Sequence, residues 1–182
     1  MGFLFLLPFS ADGKERIRNV EVEIVNRDII VSADLRGGFD KKTVEDIQNG
    51  ITKDFYYYIL LKKKEKNWFD EEVDAKTLRY SVKYDTLKKD YLLIISDGAR
   101  IVERHVTDFE EMKNIVSRVH KIKLAPASLL NPRHRYYVSL KSQMKAAELP
   151  FYLDYFLFFI PFLELDTPWA DSPLISLEGL TE

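Results

Sequence analysis

One run, Phe55-Tyr56-Tyr57-Tyr58-Ile59-Leu60-Leu61, limits the possible folds more than any other stretch of the chain. Successive residues of a strand point to opposite faces. Phe55, Tyr57, Ile59 and Leu61 would therefore line one face, and Tyr56, Tyr58 and Leu60 the other. Apolar side chains on both faces need cover on both, so the run predicts a strand in the middle of a sheet. It ends in Lys62-Lys63-Lys64-Glu65-Lys66, a charge cluster of the kind that solvates a tip or guards an edge.

The segments around it alternate more simply. Val20, Val22 and Ile24, then Ile29, Val31, Ala33 and Leu35, flank the polar turn Asn26-Arg27-Asp28 and predict a hairpin with one packed face. Gly37-Gly38 ends the second strand, and Asp40 is placed to cap a short helix. Phe39 and Val44 sit at the positions of a hydrophobic staple, Val44 and Ile47 point inward, and Gly50 stops the helix. After the loop containing Trp68-Phe69 and the acidic Asp70-Glu71-Glu72, the residues Leu78, Tyr80, Val82 and Tyr84 alternate with polar ones. The strands at 91–96 and 99–106 flank Asp97-Gly98, a pair that favours a two-residue type I′ turn. Thr107-Asp108-Phe109-Glu110 offers a capping box, with Phe109, Met112, Val116 and Val119 on one helical face. A strand near 121–125 follows, then a loop through Pro126 and Asn131-Pro132.

From Tyr136 to Ala147 even positions are mainly apolar, and from Ser139 to Lys145 odd positions are polar, the pattern of a half-buried strand. Beyond Pro150, the run from Tyr155 to Leu163 has no polar face. Its nine uncharged residues fall short of the roughly 20 that a spanning helix needs, and Pro161 would interrupt one. The run is read as core, bending at Pro161. The element order is strand, strand, helix, strand, strand, given twice. It fits either an internal ββαββ duplication or a meander whose hairpins alternate with helices.

With 182 residues the chain suffices for one well-buried domain. The formal net charge of −2, with both signs interspersed, excludes the basic surplus of a nucleic-acid reader. There is no cysteine, which removes thiol catalysis, zinc-thiolate sites and disulfides. Met1 to Ala11 is apolar and is followed at once by Asp12-Gly13-Lys14-Glu15-Arg16. It reads as the tail of a secretory signal peptide whose start lies upstream, or as an N-terminal strand or short anchor. Leu6 stands where myristoylation after Met-Gly requires a small hydroxyl residue. The expected organisation is a leader or anchor at 1–11, a β-rich domain at 12–169 and a loosely ordered tail at 170–182.

His105, His120 and His134 form no ligand pair and stand singly. Ser96 lies in a predicted turn outside any nucleophile elbow, and no phosphate-binding or dinucleotide glycine motif occurs. Asp70-Glu71-Glu72 lacks the spacing of a calcium loop. No catalytic residue, metal ligand or cofactor is therefore predicted. What stands out is the aromatic content, ten tyrosines, twelve phenylalanines and two tryptophans. Most of these suit cross-strand packing. Trp68, Phe69, Phe151, Tyr152 and Trp169 lie beside loops or segment ends and are the candidate surface for a partner or ligand.

Several stretches together carry a family resemblance. They are the opening hairpin, Gly38-Phe39-Asp40, Asn49-Gly50-Ile51, Tyr136-Tyr137-Val138-Ser139, Glu148-Leu149-Pro150-Phe151 and Thr167-Pro168-Trp169. The chain resembles the bacterial domain-of-unknown-function family 4390 over nearly all of its length after Glu15. The resemblance implies an exported envelope protein without assigned activity. Such proteins tend to be encoded near a membrane sensor kinase of the nitrogen-regulation type, which implies a signalling accessory.

The expectation is thus a mainly β, single-domain protein: a β-sandwich or strongly curved antiparallel sheet with two short covering helices. It is expected in the periplasm, either free or tethered by its apolar start, as a non-enzymatic accessory, sensor or protein-binding module. A carrier of a lipid or other hydrophobic small molecule is the alternative, motivated by Phe156 to Phe162 and by the two-faced strand.

Overall fold

The computed structural model describes residues 15–66, 68–146 and 163–176. Ten strands and two short helices follow in chain order: β1 (Arg16–Val25), β2 (Asp28–Arg36), α1 (Lys41–Gln48), β3 (Lys53–Lys63), β4 (Glu71–Asp85), β5 (Asp90–Ser96), β6 (Ile101–Val106), α2 (Phe109–Val116), β7 (Arg118–Pro126), β8 (Tyr136–Ala146), β9 (Leu163–Asp166) and β10 (Ala170–Asp171). They form two sheets, one of three strands in the order β1-β2-β7 and one of seven in the order β10-β8-β3-β4-β5-β6, with β9 also on β8. The fold is mainly β, and among the described residues no barrel closes.

Strand β3 is central in its sheet, as expected, although among the described residues only its inner face is fully covered. It pairs antiparallel with β4 on one side and β8 on the other, so Phe55 lies between Tyr80 and Met144, and Ile59 between Lys76 and Leu140. Phe55, Tyr57, Ile59 and Leu61 are fully buried; Tyr56, Tyr58 and Leu60 are half-buried on the outer face. One continuous core joins that inner face to Ile29, Val31, Ala33 and Leu35 of β2 and to Met112 and Val116 of α2.

Of the two hairpin turns expected, one takes the tight form. Asn26 and Arg27 form a two-residue turn between Val25 and Asp28, both with positive φ (51° and 64°), the primed geometry that matches strand twist. Asp97-Gly98 does not. Ser96 pairs with Ile101, so the loop has four residues, and only Gly98 among them has positive φ. The Asp97 carboxylate accepts from the backbone N–H groups of Ala99 (3.1 Å) and Arg100 (2.8 Å), offering the loop a local alternative to the tight turn.

Helix α1 is capped by Asp40, which accepts from the Thr43 N–H at 2.7 Å, and stopped by Gly50 at φ 82°. The Gly50 and Ile51 N–H groups return to the carbonyls of Ile47 and Asp46, a Schellman closure. The inward residues are Thr43 and Ile47, while Val44 is only half-buried. Phe39 stacks on Phe55 at 5.1 Å and meets Phe109 edge-on at 6.3 Å. In α2 the cap is Asp108, not Thr107: its carboxylate accepts from the Glu111 N–H at 2.7 Å. The helix ends at Val116, and Val119 reaches the core from β7 instead.

Strand β8 buries Tyr136, Val138, Leu140, Ser142 and Met144 on its packed face, but Tyr137 and Ser139 on the opposite face are buried too. The tail expected to be loose explains part of this. Strand β10 pairs with Leu140 and Ser139, Asp171 accepts from the Ser139 hydroxyl at 2.6 Å, and the Ile175 N–H donates to the Tyr136 carbonyl. Strands β9 and β10 are one edge strand broken at Thr167-Pro168-Trp169. Asp166 faces Gln143 while Ala170 faces Leu140, so one extra residue is accommodated. Thr167 bridges the break, its N–H donating to the Ser142 carbonyl and its hydroxyl accepting from the Ser142 N–H, both at 2.9 Å. Proline lacks an N–H, so an interruption of an edge strand is where it fits.

The doubled element order is present, but the sheets do not repeat it. Hairpin β1-β2 belongs to the small sheet and β5-β6 to the large one; β3 pairs β4, whereas β7 and β8 lie in different sheets. Among the described residues no helix is long and apolar enough to cross a membrane.

Candidate interaction surfaces

The loop joining β3 to β4 is built on Asp70. Its carboxylate accepts from the Glu65 N–H (2.9 Å), the Lys64 ammonium (3.0 Å) and the Tyr137 hydroxyl (2.7 Å). Led by the backbone bond from Glu65, these donors hold the Asp70 carboxyl down to about 2. Burial and the same carboxylate push the Tyr137 hydroxyl in the opposite direction, above the ordinary tyrosine value. With its base fixed, the loop presents Trp68 and Phe69 outward, 86% and 97% exposed.

Trp169 is 44% exposed and lies elsewhere, at the break in the edge strand. The ammonium groups of Lys62 and Lys141 stand 5.7 and 5.4 Å from its ring centre. Lys145 stands over Tyr56 and Lys64 over Tyr137 in the same way, so cations and rings are interleaved along β3 and β8. Of the five aromatic residues singled out, the fold therefore groups Trp68 with Phe69 and places Trp169 apart. Phe151 and Tyr152 lie outside the described residues, as do the apolar run from Tyr155 to Phe162 and the leader.

A second surface could not be read from residue types. Three strands do not cover seven, and α2 closes only part of the remaining inner face. Tyr80, Ile95 and Val102 pair across β4, β5 and β6 and form a row on that face. Tyr80 is buried, Ile95 half-buried and Val102 54% exposed. Beside this row lies an open groove of about 640 Å³, with Tyr80, Ile95 and Ile115 as its apolar lining. Its rim is polar. Arg104 of β6 pairs with Glu111 of α2 at 2.8 Å, and Arg118 and His120 come from β7. The Tyr80 hydroxyl donates to the Arg118 carbonyl at 3.4 Å, and burial raises its pKa. Among the described residues the outer side of β6 pairs with no strand, and its residues before Val106 are exposed.

Two ionic clusters lie apart from these aromatic surfaces, one around Lys53 and one around His105. Lys53, almost fully buried, donates to Asp46 at 2.6 Å and to Glu164, while Lys42 contacts the same two carboxylates at 2.7 and 3.4 Å. This links α1, β3 and β9. The His105 ring bonds to Asp90 through Nδ1 (2.9 Å) and approaches Glu103 through Nε2 (3.3 Å). The Asp90 bond first, then Glu103, raises the imidazole pKa. His134 is exposed in the loop before β8.

No curated protein and no solved structure matches the chain. A family model does, over residues 14–172, nearly the whole of both sheets. The chain belongs to the family described as Domain of unknown function (DUF4390).

Proposed function

We propose that the protein is an exported, non-enzymatic accessory or sensor module of the bacterial envelope that binds a partner protein. The observation that carries this reading is the row Tyr80-Ile95-Val102 beside the unpaired edge of β6. An extended partner segment can take hydrogen bonds from such an edge and seat alternate side chains on the adjoining apolar groove. The leader-like start supports export, and the resemblance to envelope proteins encoded near a sensor kinase makes such a kinase the first partner to examine.

A carrier of lipid or another hydrophobic molecule is the weaker reading. One of its two supports was the apolar strand β3, whose inner face is packed against the protein's own core.

The test is a photo-crosslinking amino acid at position 102 in the native host. A discrete envelope-protein adduct is expected, lost when Ile95 is replaced by Glu in a chain that remains folded. No adduct at 102, or the same adduct from a crosslinker at the exposed Leu87 on a distant turn, defeats the assignment.

A further inference from the structure

We infer that the end of the molecule formed by the β3-β4 tip docks on an anionic phospholipid surface, with Trp68 and Phe69 as its inserting side chains. Hydrogen bonds bring four connections to this end. The Lys64 N–H donates to the Arg135 carbonyl, the Asn131 N–H to the Tyr136 hydroxyl, the Ile175 N–H to the Tyr136 carbonyl and the Ala127 N–H to the Arg27 carbonyl. Five exposed large apolar side chains sit on these connections or beside them: Val25, Trp68, Phe69, Leu129 and Leu174.

The charge of this end is unlike that of the whole chain. Residues 25–28, 62–72, 127–135 and 171–176 hold seven Lys and Arg against six Asp and Glu, in a chain with net charge −2. The acids are largely occupied internally: Asp28 by Lys123, Asp70 by Lys64 and Tyr137, and Glu71 by Lys63. Arg27, Lys66, Arg133 and Arg135 are exposed and make no ion pair among the described residues. Four cations without an ion pair among the described residues thus lie at the same end of the molecule as two protruding aromatic rings. That arrangement complements a layer of anionic headgroups over hydrocarbon, where amphipathic rings settle at the boundary and each nearby cation adds attraction.

Size separates this occupant from a protein. An aromatic side chain buries roughly 150–250 Å², so the pair supplies about half of the roughly 800 Å² that each partner contributes to a standard protein interface. A bilayer accepts two protruding rings without requiring a complementary surface. The groove beside β6 is a different site, so the two assignments fail independently.

The experiment uses the full chain and two vesicle compositions, phosphatidylethanolamine with phosphatidylglycerol, and phosphatidylcholine alone. In a Trp169→Phe background Trp68 is the sole tryptophan, and its emission should shift to the blue with the anionic vesicles and less with the neutral ones. Trp68→Ser with Phe69→Ser should lower the vesicle-bound fraction in flotation by roughly tenfold, and Arg133→Gln with Arg135→Gln should reduce its salt sensitivity. Val102→Glu should leave it unchanged. All of these positions are exposed, and a retained thermal midpoint shows that the fold is intact. The inference is overturned if Trp68 emission ignores anionic vesicles, if the Trp68/Phe69 variant floats like the parent because the apolar start alone carries binding, or if only an envelope-protein extract shifts the emission.

Discussion

Strands β3 and β6 belong to the same sheet and carry similar aliphatic side chains, yet they have opposite fates. Ile59 and Leu61 are fully buried between two neighbours and a second layer, while Ile101 is 76% exposed on the last strand of the sheet. Alternation decides which face a residue takes; the number of neighbours decides whether that face is covered. An apolar residue in a strand therefore contributes to stability only where topology supplies the other wall.

Substitutions along the two strands sharpen this contrast. Ile59→Ala should cost about 2–5 kcal/mol, read by denaturant unfolding, since the cavity it leaves is enclosed on every side. A cost near zero would mean that β3 is not the centre of the sheet. Removing the cap of α2, the helix that partly shields the inner face next to β6, comes second. Asp108→Ala should lose about 0.5–2 kcal/mol through the orphaned Glu111 N–H, and Asp108→Ser should recover most of it.

His105 tests how the edge is held. Its folded pKa is raised, so its contribution is fully present below the ordinary histidine value near 6.5 and is lost as pH rises through the folded value. The thermal midpoint of the parent should exceed that of His105→Gln at pH 6, and the difference should shrink by pH 9. A difference that grows with pH would reverse the assigned partners. Smallest of all, Ile101→Ala should change stability by no more than about 0.5 kcal/mol. A loss equal to that of Ile59→Ala would mean that this edge is covered in solution.

The parts of the fold that were legible in the sequence rest on local patterning. Phe55 to Leu61 announced a central strand because no other position satisfies two apolar faces, and Asp40 with Gly50 marked both ends of α1. Misreadings arose where two neighbouring groups could perform the same task. Thr107 and Asp108 could both cap, and the Asp97 side chain could serve backbone donors that a tight turn would have paired. The groove was not legible because it depends on distant pairings. Strand β7 joins β2 and β8 joins β3, each across roughly 80 to 100 residues, and nothing in Tyr80, Ile95 or Val102 says which strands will lie above them. Trp68 and Phe69 could be marked as exposed candidates from their place between a lysine run and an acidic one, but the arginines that join them come from the approach to β8.

The broken strand on β8 gives the large sheet a polarity. Among the described residues one side ends in a segment interrupted by Thr167-Pro168-Trp169, the other in the unpaired backbone of β6. A sheet with two bare sides can polymerise, since each added unit presents a fresh acceptor. Here the proline-bearing side acts as a chain terminator. If the proposed partner strand adds to β6, the interrupted side offers no second matching edge, so one strand can be engaged from outside without seeding a fibre.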